Sequence, residues 1–151
     1  QAGEGVMAGE ITTIRDGIQT RLETISGLQV IDHVPEGVAF TPSVSITLVS
    51  MTRNETFEGA SVPGDRTYRW TITVRLAGAI PEEMWQSLDD YLAPTGTDSI
   101  LAAIDGDVTL GGAVEWSVMT PGESIEITDR ESRPDSWFYV MEFPLETYKS
   151  G

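Results

Sequence analysis

A chain of 151 residues with 40% hydrophobic and 22% charged residues is long enough to bury one core and too apolar to be disordered. Its 24 acidic and 9 basic residues leave a formal net charge of −15, which repels phosphate backbones and anionic membranes and argues against nucleic-acid binding through a basic patch. With no cysteine and one histidine, His33, the composition excludes disulfides, thiol catalysis, thiolate metal sites, iron–sulfur clusters and a three-histidine zinc site in one chain.

Residues 1–10 hold no basic cluster leading into an apolar stretch, so no secretory signal is expected. Met7-Ala8-Gly9-Glu10 reads as a natural start, and on that reading residues 1–6 are expected to be a remnant of expression. Ile11, Ile14, Ile18, Leu22 and Ile25 then recur at spacings of three and four, the stripe of an amphipathic helix that Ser26-Gly27 ends. Short strand character runs from Val30 to Val34 and stops at Pro35-Glu36-Gly37. From Ser43 to Ser50, Val44, Ile46 and Leu48 alternate with Ser43, Ser45 and Thr47. The clearest strand is Thr67 to Ala77: Tyr68, Trp70, Ile72, Val74 and Leu76 take the core face, while Arg69, Thr71, Thr73 and Arg75 face solvent or a partner.

Between these strands, Thr52 to Arg66 reads as a long loop, well beyond the roughly 2–5 residues of an ordinary hairpin connection. It is polar yet holds Phe57 and Val62, which a mere spacer does not need. A second helix is predicted from Pro81 to Leu92, with proline at the first position, Glu82 and Glu83 at the positive end of the dipole, and Met84, Trp85, Leu88, Tyr91 and Leu92 as its apolar stripe. Pro94-Thr95-Gly96 breaks it. Thr97 or Asp98 is expected to cap a short third helix carrying Ile100, Leu101 and Ile104. Strand character returns with Val114, Trp116 and Val118, continues weakly through Ile125 and Ile127, and ends in a long strand with Trp137, Tyr139, Met141, Phe143 and Leu145. The order α-β-β-β-α-α-β-β-β gives one α+β domain over residues 1–151, with helices packed on a mixed or antiparallel sheet. All four tryptophans, at 70, 85, 116 and 137, fall on predicted apolar faces and are expected in the core.

The search for chemistry comes back empty. No phosphate-binding glycine loop and no nucleophile elbow occur. Asp105-Gly106-Asp107 is read as a helix-ending turn, because a calcium loop starting there would have Leu110 where glycine belongs and Trp116 where glutamate belongs. The carboxylate pairs Glu82/Glu83 and Asp89/Asp90 read as solvated helix faces, and Asn54-Glu55-Thr56 as a chance glycosylation match. No apolar run approaches the ~18 residues of a membrane-spanning helix. The chain is therefore expected to be neither an enzyme nor a membrane protein, and to bind no cofactor and no metal.

Several phrases carry a family resemblance. The helix from Ile11 to Ile25 leads into "GLQVIDHVPEGVAFTPSVSITLVS", then "YRWTITVRLA", then "WQSLDDYLAPTGTDSILAAIDGDVTLGGAVEWSVMT", and "WFYVMEFPLETY" closes the run. Together, over nearly all the chain after residue 7, they resemble the tail terminator (tail completion) proteins of long-tailed bacteriophages. Leu88 to Val114 is the most telling stretch. The resemblance implies a non-enzymatic subunit of a hexameric ring in the virion, at the head-proximal end of the tail, assembled in the host cytoplasm. Its partners would be further copies of itself, the major tail tube protein and a head-completion or connector protein, with DNA only passing through the ring.

On that reading the expected subunit or partner contacts are Arg53, Asn54 and Phe57 in the long loop and Arg69 and Arg75 on the polar strand face. Arg66, Arg130 and Arg133, beside turns, would pair with an acidic neighbour. A head–tail connector or neck protein is the adjacent alternative. An acidic DNA-mimicking binding module is the alternative from another class, although its carboxylates would need a phosphate-like spacing that these scattered acids lack.

Overall fold

In a computed structural model, the described residues are 9–31, 42–54, 65–78, 81–119, 125–133 and 136–150. The chain runs α1 (Glu10–Leu22), β1 (Gln29–Ile31), β2 (Ser43–Asn54), β3 (Asp65–Gly78), α2 (Pro81–Leu92), α3 (Ile100–Asp105), β4 (Trp116–Met119), β5 (Glu126–Arg133) and β6 (Ser136–Lys149). This is the expected α+β order.

One mixed sheet holds all six strands. Its path is β1-β2-β3-β6-β4, and β5 also pairs with β6. Only β1 and β2 run parallel; the other pairings are antiparallel. Strands β4 and β5 share one edge of β6. Trp116–Met119 lie opposite Tyr148–Leu145, and Glu126–Arg133 lie opposite Glu142–Ser136. Pro144, which has no N–H to give a ladder, falls in the gap between those two pairings.

The core lies between the helices and one face of the sheet. Ile14, Ile18, Leu22 and Ile25 bury against Val44, Ile46, Trp70, Ile72, Val74, Met141, Phe143 and Leu145, joined by Tyr91, Ile100 and Ile104 from the second and third helices. Side-chain period two decides which residues of β3 and β6 reach it. Among the described residues, no helix is long and apolar enough to cross a membrane.

The structure corrects several details. Helix α1 stops at Leu22, and Ile25 is buried from the turn that follows, where Gly27 takes φ +82°. Ile11 is 45% exposed, because the core-facing stripe begins one turn later at Ile14. The cap of α3 is Ser99, not Thr97 or Asp98; its hydroxyl accepts from Ala102 N at 3.0 Å and donates to the Ala93 carbonyl. Strand β1 begins at Gln29, and residues 32–34, including His33, lie outside the described residues.

Two tryptophans leave the predicted core. Trp70 is buried, but Trp85 is 59% exposed and Trp116 is 38% exposed. Register explains the second case. Ser117 faces the buried Thr147, its hydroxyl donating to the Val108 carbonyl at 2.9 Å, so Trp116 and Val118 point to the opposite face. There Trp116 stacks on Tyr148 with ring centroids 5.5 Å apart. The side chain of Trp137 lies outside the described residues.

The largest correction concerns the predicted loop. Strands β2 and β3 stay paired out to Thr52↔Thr67, Arg53↔Arg66 and Asn54↔Asp65, so those residues belong to a ladder and only 55–64 connect the strands. Phe57 and Val62 fall outside the described residues. The signal was hidden by a bulge. The register shifts between Leu48 and Ser50, which leaves Val49 unpaired. One extra residue reverses the faces: Val44, Ile46 and Leu48 point to the core before it, and Met51 and Arg53 share that side after it.

Candidate assembly surface

The two sheet faces differ in chemistry. The face away from the core carries Ser43, Ser45 and Thr47 on β2, Thr71, Thr73 and Arg75 on β3, and Glu142 and Glu146 on β6. It is not uniformly solvated, since Ser43, Ser45 and Thr73 are buried. Arg75 is half-buried and donates to Ser45 Oγ at 3.1 Å; burial lowers its pKa, and Glu142 opposes that. Arg69 lies 3.5 Å from Glu146, its cross-strand neighbour. Both arginines are therefore committed inside the chain, although Arg69 stays largely accessible.

At the far end of the three longest strands, register brings three of the nine basic residues into one row. Arg53 pairs with Arg66 and Arg66 with Lys149. Like charges directly opposite each other weaken a sheet. Helix α1 answers the central one. Arg66 donates to both Glu10 carboxylate oxygens, at 2.6 Å and 2.5 Å, and the Tyr68 hydroxyl donates to Glu10 as well. The hydrogen bond from Arg66 holds the Glu10 carboxyl below its ordinary value, with further help from Tyr68 and the charge of Lys149, against a desolvation penalty. Arg66 was expected to pair with a neighbouring subunit; its bidentate partner is internal. Arg53 is exposed and makes no ion pair among the described residues.

The remaining candidates separate. Asn54 lies in the ladder opposite Asp65. Arg130 and Arg133 are on β5, opposite Phe138 and Ser136, with Arg133 the last residue of its strand. The side chains of Asn54, Arg130 and Arg133 lie outside the described residues.

Sequence reasoning missed two features. The first is the seam between α1 and the turn after α3. Asp107 accepts hydrogen bonds from Thr109 N, Thr109 Oγ1 and Gly111 N, at 3.1, 2.7 and 2.9 Å, and these, led by the Thr109 hydroxyl, lower its pKa. The turn places Leu110 at φ +52°, buried, directly over Gly17 of α1. A Cβ on Gly17 would sit 2.6 Å from the Leu110 carbonyl oxygen and 2.9 Å from its Cβ, so only glycine admits this approach. Arg21 locks the same seam by donating from Nε to the Ala103 carbonyl at 2.8 Å, near the negative end of α3. A cleft of about 400 Å³ remains beside it, bordered by Thr13, Asp16, Thr20, Gly111 and Gly112.

The second missed feature is the place of Trp85 on the outer stripe of α2, among carboxylates that the sequence does predict to be solvated. Glu82, Trp85, Gln86 and Asp89 recur at helical spacing and are all exposed, with Asp90 beside them. Trp85 Nε1 donates to the Tyr139 hydroxyl at 3.3 Å, which fixes the ring at the Leu76 end of the sheet. Among the described residues, no group of three or more histidine, aspartate or glutamate side chains could hold a metal.

No protein-family model matches the chain, and no curated protein matches it. Among solved structures, a chain described as part of the "Virion of native gene transfer agent (GTA) particle" aligns with 94% of this chain and 99% of its own length. Identity is 13% and the TM-score is 0.38, a likeness that carries no argument about function.

Proposed function

We propose that this chain is a structural virion subunit of the tail-terminator type. It closes with further copies into a sixfold ring on the tail tube, stops tube growth, and offers its other side to a head-completion protein. It catalyses no reaction and takes no cofactor. What supports the reading is the coincidence between the phrases that resemble tail terminators and the units of the fold. The first helical stripe lies on α1 up to Leu22, "YRWTITVRLA" lies within β3, and "WFYVMEFPLETY" lies within β6. "YLAPTGTDSI" through "TLGG" forms the α2–α3 junction and the Leu110 turn seated on Gly17. The sheet face without helices and the net charge of −15 suit a ring through which DNA slides, because acidic walls deny DNA counterion-releasing contacts.

Electron microscopy of the protein mixed with tail tubes tests this. The expected result is a ring-shaped cap on one tube end and arrest of tube elongation. A protein that leaves tube growth unchanged and forms no ring overturns the reading. Attachment to the head-side connector without tube capping would move it to the neck.

A further inference from the structure

We infer that two patches at opposite ends of the sheet are the two halves of one contact between copies of this chain, the hairpin base of one subunit docking on the outer stripe of α2 in the next. The inference rests on the ring-forming reading and names the surface by which neighbours would meet.

The first half is cationic with an apolar edge. Arg53 and Lys149 flank Arg66 in the cross-strand row, and Met51, two residues before Arg53 on the same side of β2, is 46% exposed. Among the described residues Glu10, held by Arg66 and Tyr68, offsets the middle of the row, and the charge of Lys149 is felt by Glu115. The second half is its complement: Glu82 and Asp89 bracket the exposed Trp85 on α2. Tryptophan ringed by charge is the composition of an interface anchor, and a stripe at helical spacing can lie across a strand end.

The patches cannot meet within one molecule. The cationic row sits at Arg66 of β3, while Trp85 reaches Tyr139, which pairs with Leu76. Ten residues of extended strand separate the two, about 33 Å at ~3.3 Å per residue. Unlike patches at opposite ends give a head-to-tail contact, the kind that closes into a ring when the rotation between copies allows. A second copy is the fitting occupant. In a chain with 24 acidic and 9 basic residues, the exposed Arg53 and its row neighbour Lys149 find their complement on the chain's own acidic surface, and the apolar components match as well.

The absence of cysteine makes the test clean. Arg53→Cys and Gln86→Cys proteins, distinguished by mass tags, are treated with a short thiol crosslinker separately and mixed. The expected result is a cross-linked pair several-fold more abundant in the mixture than in either protein alone. Equal yields, or a dominant product between two Arg53→Cys chains, overturn the contact. Charge reversal adds a second arm. Lys149→Glu in the Arg53→Cys chain and Asp89→Lys in the Gln86→Cys chain each lower the crosslink yield, and facing the two reversals across the contact restores it. Rings or tube caps that persist unchanged in both single reversals overturn this surface and leave the ring reading standing. Crosslinks without any ring or cap uphold the contact and count against the ring.

Discussion

The two halves of β2 belong to one continuous ladder and live in different surroundings. Before the bulge, Val44 and Ile46 are buried beneath the helices; after it, Val49 is 61% exposed, and Met51, Thr52 and Arg53 are exposed too. The first half is held by burial of apolar surface. The second is held by pairing to β3, whose Arg66 and Tyr68 are tied to Glu10 of α1. Backbone pairing alone contributes little net stability once water is counted, so a half-strand kept extended without a core of its own is available for contact with something else.

The sharpest way to separate the halves is to damage the covered one. Phe143, fully buried opposite Ile72, anchors the core. Phe143→Ala should cost about 3–5 kcal/mol and is checked by chemical denaturation. Gly17→Ala should come next. Helix propensity favours alanine by about 1 kcal/mol, but the collision with the Leu110 backbone outweighs it, and a net loss of about 1–2 kcal/mol is expected from thermal melting.

Glu10 ties α1 to the end of β3 that carries the uncovered half, and its removal has a pH signature. Its carboxyl is lowered in the fold, so its ionised form stabilises the native state above the ordinary value of 4.5, and that contribution fades as pH falls below it through the lowered value. Glu10→Gln should therefore lose about 1 kcal/mol at neutral pH. Melting curves of the two proteins should converge as the medium is acidified below that range. The smallest effect belongs to the uncovered half. Met51→Ser should change stability by less than about 0.5 kcal/mol, as seen in a urea titration, while weakening association between subunits.

How much of this could be read beforehand follows from the range of each signal. The core face of β3 was plain, because five apolar residues at period two leave no other placement. Ile14, Ile18 and Leu22 were equally legible; Ile11 was not, since the stripe's phase says nothing about where the sheet beneath it ends. The bulge at Val49 has no compositional mark, and without it the residues beyond Ser50 looked like a loop. Trp85 and Trp116 misled because apolar character in a local pattern does not reveal which face meets the core. The row of Arg53, Arg66 and Lys149 depends on register between strands far apart in sequence, and no local window contains all three.

The place of β6 in the sheet sets a timetable for folding. It is the last strand in the sequence, yet it lies between β3 and the β4/β5 pair and supplies Met141, Phe143 and Leu145 to the core. Until it arrives, β3 keeps an open edge with Trp70, Ile72 and Val74 beside it, and β4 and β5 have no strand to join. Nascent chains stalled before Ser136 would thus hold a long apolar strand in the form most prone to pairing with a stranger. Closure by a distant strand also makes the sheet's assembly the slow event, placing this chain toward the unhurried end of domains of its size.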